Sequence, residues 1–197
     1  LVVKKLNMMP IECVVRGYFY GSFVKRWKNG EITLPKNADT TMAAKLPQPV
    51  FDPTTKSETH DVQITKKDAV ARNLVSSKEY DWLEETSISV YKNMTKIAED
   101  GGFILADLKL EFGKSGKQIL IGDSIGPDEY RMWPKDTYRV GKVQESYDKQ
   151  LLRDWLAERG YQQRFEMERS AGKDPVAPEL PSELCQQMSE RYITAYE

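Results

Sequence analysis

Histidine and cysteine are almost missing from this sequence: His60, Cys13 and Cys185 are the whole supply in 197 residues. The two cysteines lie far apart, with no CxxC partner and no neighbouring histidine. That argues against a zinc site and against a secreted disulfide framework, and both read as buried small hydrophobes. A lone histidine without a ligand partner at helical spacing is a weak metal candidate. Long apolar runs are missing too: none approaches the ~20 residues that cross a bilayer, and no basic segment leads into an apolar one. The expected location is cytoplasmic, with no membrane partner. Excess charge of one sign is also lacking, since 29 Lys and Arg face 30 Asp and Glu for a formal net charge of -1. A strongly basic nucleic-acid binder is therefore not indicated. No internal repeat or low-complexity tract is present.

What remains is the composition of a soluble globular protein, 40% hydrophobic and 30% charged, long enough for one domain or one large lobe with a core of its own. The chain opens directly into "LVVKKLNMMPIECVVRGY", which reads as strand, short connector, strand. An opening in mid-sheet leads us to expect either an unusual start or the loss of an N-terminal part that paired with these strands. Ile11, Cys13 and Val15 alternate with Glu12, Val14 and Arg16 as in a half-buried strand. After the Gly21 turn, Ser22 is placed to cap a short helix exposing Lys25 and Arg26. From Glu31 to Thr59 prolines break the pattern, and a long loop is expected. Thr65 can cap a helix, a second helix runs roughly from Lys78 to Asp100 with Trp82 on its packing stripe, and Gly101 and Gly102 end it. Near the C-terminus Tyr147, Leu151, Leu152 and Trp155 mark the inner face of an amphipathic helix, and Ser182 is expected to cap the last one.

The stretch "GGFILADLKLEFGKSGKQILIGDSIGPDEYR" joins apolar and charged residues in a pattern with period two. In a strand, Asp107, Lys109 and Glu111 share one face, and Ala106, Leu108, Leu110 and Phe112 share the other. "GKSGK" separates this run from "QILIGDSI" and predicts a hairpin. In the simplest register Asp123 joins the charged face, while a slip of one residue reverses it. The charged face admits two readings: a solvated strand surface, or a site where acids and a lysine meet Mg²⁺ and phosphate. On the second reading Glu111 and Asp123 are the metal ligands and Lys109 the phosphate contact. A basic group, Arg16, Ser22, Lys25 and Arg26 beside a glycine turn with Arg131 further on, suits an anion cradle or a scatter of surface charge. In "FDPTTKSETHD", Lys56, His60 and Asp61 are either catalytic or solvated.

Five segments, "MPIECVVRGYFYGSFVKRW", "FDPTTKSETHD", "LADLKLEFG", "ILIGDSIGPDEYRMW" and "VGKVQESYDKQLLRDWL", occur in an order that resembles the phosphoribosylaminoimidazole-succinocarboxamide synthase (SAICAR synthetase) family. The resemblance runs from about Val3 to the final "RYITAYE". It implies an α+β, two-lobed, kinase-like architecture with ATP between the lobes. It also implies an ATP- and Mg²⁺-dependent ligase of de novo purine biosynthesis, joining the carboxylate of carboxyaminoimidazole ribotide to the amine of L-aspartate, as a monomer or homo-oligomer. By the same resemblance Glu111 and Asp123 bind the metal and, with Lys109, the nucleotide. Arg16, Ser22 and Arg131 hold the ribotide phosphate, and Lys56, Asp61 and Asp128 belong to substrate-contacting motifs. Either Asp123 or Asp61 takes the proton of the attacking amine, with Lys149 and Arg153 as possible contacts of L-aspartate. The family's glycine-rich N-terminal lobe has no counterpart here. Residues 1–10 are expected to be a remnant of that lobe and its hinge, and residues 11–197 the substrate- and metal-binding lobe. The competing readings are a small-molecule or protein kinase, which lacks support from an HRD loop or a DFG triplet, and a non-catalytic module without its nucleotide lobe.

Overall fold

Two long runs of alternating residues form the centre of the sheet: β1, Asn7–Tyr18, and β4, Phe103–Ser115, paired antiparallel with Arg16 opposite Asp107, Val14 opposite Lys109 and Glu12 opposite Glu111. The structure, a computed structural model, describes residues 2–56 and 62–197. Its chain divides into two compact units, Leu1–Glu145 and Ser146–Glu197.

In the first unit, β2 (Lys45–Phe51) and β3 (Thr54–Thr55) share one side of β1. On one side of β4, β5 (Gln118–Ile121) and β6 (Tyr130–Pro134) divide the strand in the same way. All the pairings are antiparallel. The proline-rich stretch expected to be a loop thus contains two strands. Pro47 and Pro49 are tolerated because β2 lies at the edge of the sheet, where one side of the strand needs no backbone donors. β1 is likewise continuous from Asn7, without the connector expected before Ile11.

Among the described residues of this unit, three helices complete it: α1 (Ser22–Lys28), α2 (Lys66–Ala71) and α3 (Ser77–Asp100). Thr65 caps α2 through the Asp68 amide, as its position suggests. Ser76 and Glu79 close a capping box on α3, and Lys114 also bonds Glu79, whose carboxyl is held down at about 2 by Lys114 and by Ser76. Helix α3 buries Tyr80, Leu83, Ser87 and Tyr91, one stripe at helical spacing, into a core with Ile11, Cys13, Val15, Leu108, Leu110 and Phe112. Trp82, expected on that stripe, stays 38% exposed and meets Phe112 edge-on. Each fully buried leucine or phenylalanine here contributes roughly 1.5–3 kcal/mol. Burial pushes the Cys13 thiol up to about 12, so it is an inert core side chain. A register shift between Leu105 and Asp107 breaks the simple alternation: Leu105 joins the main core, and Ala106 packs with Tyr18 and Trp133.

Gly17 is where helix and sheet approach most closely. A Cβ there would lie 1.8 Å from the Tyr91 hydroxyl oxygen, whose proton is donated to the Leu105 carbonyl at 2.7 Å. Gly17→Ala is expected to cost about 1–3 kcal/mol or more by overpacking. Tyr91→Phe in the same chain should return part of it. Urea unfolding of the variants checks this, and an unchanged midpoint in Gly17→Ala would refute the tight contact.

The second unit contains α4 (Gln150–Glu158), α5 (Tyr161–Ser170) and α6 (Ser182–Tyr196). Asp148, 1% exposed, accepts from the Gln150 amide at 2.7 Å at the start of α4. Leu151, Leu152 and Trp155 are half-buried, as is Tyr147. Ser182 does not cap α6: it is the first helical residue, and Pro181 stands at the cap position with no side-chain bond to offer. Among the described residues no helix is long and apolar enough to cross a membrane.

Candidate active site

Opposed residues of an antiparallel pair point to the same face, so Glu12, Val14 and Arg16 of β1 stand beside Glu111, Lys109 and Asp107 of β4. The other face is filled by the core under α3. The charged face is not simply a solvated surface, because the Asp107 and Glu111 side chains are 14% and 8% exposed and each meets cations.

The edge strands break where this face is most charged. Between β2 and β3, Asp52 donates its amide to the Val14 carbonyl at 2.8 Å, which sets its carboxylate beside Arg16. Between β5 and β6 the chain leaves as Gly122 donates to the Glu111 carbonyl at 2.8 Å. It returns as Lys109 donates to the Glu129 carbonyl at 2.7 Å. Two loops are thereby anchored against the centre of one sheet face.

The first cluster is built on arginine. Arg16 donates from Nε to Asp52 at 2.5 Å, from Nη1 to Asp107 at 3.4 Å and from Nη2 to the Ser22 hydroxyl at 3.4 Å. Arg131 also bonds Asp107, and Arg26 also bonds Asp52. Among the described residues, three guanidinium groups and two carboxylates meet in this cluster. Aromatic rings support them, with Phe23 5.3 Å from Arg16 and Tyr20 5.8 Å from Arg131. Gly21 takes φ +62, and a Cβ there would come within 3.1 Å of the Arg131 guanidinium, so the turn admits only glycine without displacing that side chain. A hollow of about 470 Å³, lined in part by Tyr20, Gly21, Lys25 and Lys28, opens at this turn. The structure brings together Arg16, Ser22 and Arg131, as the sequence reading expects. Ser22 does not cap α1, however: Gly21 stands at the cap position and makes no side-chain bond, and the Ser22 hydroxyl accepts from Arg16 instead.

The second cluster centres on Lys109. Its ammonium lies 2.8 Å from Glu129, 3.1 Å from Glu111 and 3.7 Å from Glu12. Lys56 donates to Glu111 at 2.5 Å, and Thr54 donates to Glu12 at 3.1 Å. Burial works against the Lys109 charge, but Glu129 and Glu111 outweigh it and the ammonium is held well above its ordinary value. For Glu111 burial favours the neutral acid, yet Lys56 and Lys109 prevail and hold the carboxyl below its ordinary value. Lys56 is raised in turn by its bond to Glu111. Glu12, Glu129, Asp52 and Asp107 were not singled out as site residues. Only Asp107 and Glu12 carried a signal, as charged positions in alternating strands.

The hairpin register differs from the simplest one. Ile121 lies opposite Phe112 and Ile119 opposite Lys114, a slip of one residue from the alignment that would carry Asp123 onto the charged face. Asp123 lies beyond the end of β5, exposed, with Oδ1 accepting from the Ser124 amide at 2.8 Å. It is nevertheless adjacent to Gly122, the residue tied to Glu111. Asp128 is exposed in the same loop, before Glu129. His60 and Asp61 lie outside the described residues. Lys149 and Arg153 belong to the second unit, the former half-buried and the latter exposed.

Among the described residues no three His, Cys, Asp or Glu side chains converge as a metal site. Magnesium seldom needs such a cage, since it keeps several waters and takes one or two carboxylates with substrate phosphates. The donor chemistry of Glu111 and Asp123 fits that pattern. Both Glu111 oxygens are bonded to lysine, but Lys56 is 51% exposed in its side chain and is able to move aside.

Comparisons with known proteins bear on the family and the fold. A sequence model of the family described as SAICAR synthetase matches residues 1–168. A phosphoribosylaminoimidazole-succinocarboxamide synthase from Nitrosopumilus maritimus (strain SCM1) is 62% identical over 197 residues, covering 100% of this chain and 72% of that protein. SAICAR-synthase from Saccharomyces cerevisiae, in a structure described as complexed with SAICAR, aligns with a TM-score of 0.74 and 30% identity over 98% of this chain and 60% of that one. A SAICAR synthetase structure in complex with ADP aligns with a TM-score of 0.64 and 33% identity, over 89% of this chain and 68% of that one. The chain therefore spans between three fifths and three quarters of the length of these relatives.

Proposed function

The chain belongs to the SAICAR synthetase family of ATP-dependent ligases, and we propose that it joins carboxyaminoimidazole ribotide to L-aspartate on the charged face of its sheet. The observation that carries this reading is the pairing of two unlike clusters on one face: arginines laced with aspartates beside the Ser22 hydroxyl, and a lysine held among three glutamates. The first suits a phosphate monoester. The second suits a site where carboxylate, phosphoryl group and metal meet. We further assign residues 11–197 to substrate and metal binding, with residues 1–10 as the hinge that meets the nucleotide.

In this reading Arg16, Ser22 and Arg131 bind the ribotide phosphate and fix the position of its carboxylate. Lys109, whose proton is held firmly by its glutamates, offers a permanent positive charge to the phosphoryl group in transfer. Glu111 and Asp123 would hold Mg²⁺, which when bound neutralises phosphate charge. The γ-phosphoryl group of ATP passes to the ribotide carboxylate, which converts an oxide that cannot leave into a phosphate that can. The aspartate amine then attacks the carbonyl carbon, the C–N bond forms as phosphate departs, and Asp123 or Asp61 takes the amine proton.

The test is ADP release from Mg-ATP with the ribotide, in the presence and absence of L-aspartate, alongside calorimetric binding of the ribotide alone. Release that requires both ribotide and amino acid supports the ligase, whereas release without the amino acid supports a kinase. Glu111→Gln and Asp123→Asn are each expected to cut turnover about 100-fold or more and to weaken its Mg²⁺ dependence without unfolding the protein. Wild-type turnover in either would remove that residue from the site.

A further inference from the structure

We propose that Arg26 is a positioning residue for the ribotide phosphate, acting through Asp52 to hold Arg16 in place without touching substrate itself. The inference rests on the assignment of Arg16, Ser22 and Arg131 to that phosphate and goes beyond it.

Asp52 is 1% exposed, yet its two oxygens are used unequally. Oδ2 accepts from Arg16 Nε at 2.5 Å and also from Arg26 Nη2, while Oδ1 is buried with no hydrogen-bond partner among the described residues. Arg26 Nη1 is a buried donor, likewise without a partner. One carboxylate oxygen is thus shared by two guanidinium groups, where either could have made a two-pronged pair with both oxygens. The sharing decides how Arg16 is presented. Meeting Asp52 through Nε alone leaves Nη1 for Asp107 and Nη2 for Ser22, the groups that form the anion cradle.

Oδ1 lacks a partner among the described residues even with Arg26 in place, so Arg26 acts through the orientation it gives the carboxylate by holding Oδ2. Without that tie the carboxylate is able to turn and bring Oδ1 to Arg16 Nη2. A carboxylate that takes the Nε and Nη2 edge as a fork draws Nη2 away from Ser22. The helix fixes the geometry of this restraint. Arg26 lies three residues after Phe23 and four after Ser22, on one face of α1, and its guanidinium sits 5.8 Å from the same Phe23 ring that supports Arg16. Lys25 and Lys28 on the same short helix are exposed, and Arg26, with 15% of its side chain exposed, is turned inward.

The experiment is a double-mutant cycle between Arg26→Met and Asp52→Asn, read by calorimetric binding of carboxyaminoimidazole ribotide, with thermal unfolding of each variant. Arg26→Met is expected to weaken ribotide binding about tenfold. In the Asp52→Asn background the same substitution should change it less than about twofold, because the path from Arg26 to Arg16 is already cut. Arg26→Lys, which keeps one donor for Oδ2, should recover most of the affinity. Equal losses in both backgrounds would overturn the proposal, since Arg26 would then act by long-range charge or direct contact. A lowered melting temperature with unchanged affinity would also overturn it, leaving only a structural role. Arg26→Gln serves the same comparison if the methionine variant does not fold. Arg16→Lys separates this proposal from the assignment beneath it. If that variant binds ribotide normally, the phosphate site itself is misplaced. If it binds poorly while Arg26→Met binds normally, only the role of Arg26 falls.

Discussion

Arg16→Met is expected to lower the stability of the protein by about 3–5 kcal/mol, the usual result of stripping the partner from a buried charge. The Arg16 side chain is 8% exposed and Asp52 is 1% exposed, so water cannot replace the lost guanidinium. Arg26 remains beside Asp52 and softens the loss, while Asp107 keeps Arg131. Asp52→Asn in the same chain should lower stability further rather than restore it, because Asp52 is still paired with Arg26 and its loss strips that guanidinium of its partner. Arg16→Lys isolates the binding role, because it keeps a charge and gives up the planar fork. It should raise the KM for ribotide much more than that for ATP. Chemical unfolding and substrate titrations of the three variants provide the check. An Arg16→Met protein as stable as the parent would mean that Arg26 alone suffices as the partner of Asp52, and equal KM changes for both substrates would move the phosphate site elsewhere.

Lys109→Met should reduce turnover by about 10²–10³-fold, since the cation aimed at the phosphoryl group is lost. It also leaves Glu12, Glu111 and Glu129 facing one another. Lys109 retains 27% of its side-chain exposure, so the stability cost is expected to be smaller than for Arg16, about 1–3 kcal/mol. Part of it should depend on pH with a defined sign. Glu111 is held below its ordinary carboxyl value in the folded protein, although burial pulls the other way. Its charge therefore favours folding above the ordinary carboxylate range, and that contribution is lost as pH falls through the depressed folded value. Removing Lys109 takes away one of the two cations responsible, and the acid limb of the stability profile should move to higher pH. Unfolding midpoints across the acid range test this. An acid limb left in place would show that Lys56 alone controls Glu111.

Much of the candidate site was legible one strand at a time. The alternation of Asp107, Lys109 and Glu111 with apolar residues places those three on one face, because the side-chain period of a strand is two whatever its neighbours are. The same rule yields Glu12 and Arg16 on one face of β1. Thr65 is legible as a cap because the bond it makes, to Asp68, lies within one turn. Asp52 and Glu129 were not legible. Each reaches its cluster because a loop is tied to the middle of a strand distant in sequence, Asp52 to Val14 and Glu129 to Lys109. Strand β2, which carries Pro47 and Pro49, and β3, which follows Pro53, were missed because proline removes a donor, and only their pairing with β1 reveals that the donor was not needed. Ser22 was misassigned because a hydroxyl at a helix start has more than one possible partner, and a buried arginine from β1 competes for it.

The sequence by itself determined which residues are polar on each strand, where the main helix begins and ends, and which family pattern the chain carries. Those properties depend on short-range periods, on caps within one turn and on ordered motifs. Tertiary structure alone decided which charges meet: the hairpin register that leaves Asp123 outside the strand, the sharing of Asp52 between Arg16 and Arg26, and the three glutamates around Lys109. The reason is that a charge placed on a sheet face has no partner specified by its own strand. Desolvation makes an unpaired charge costly there, and pairing is resolved only when strands and loops from distant parts of the chain close over the same patch.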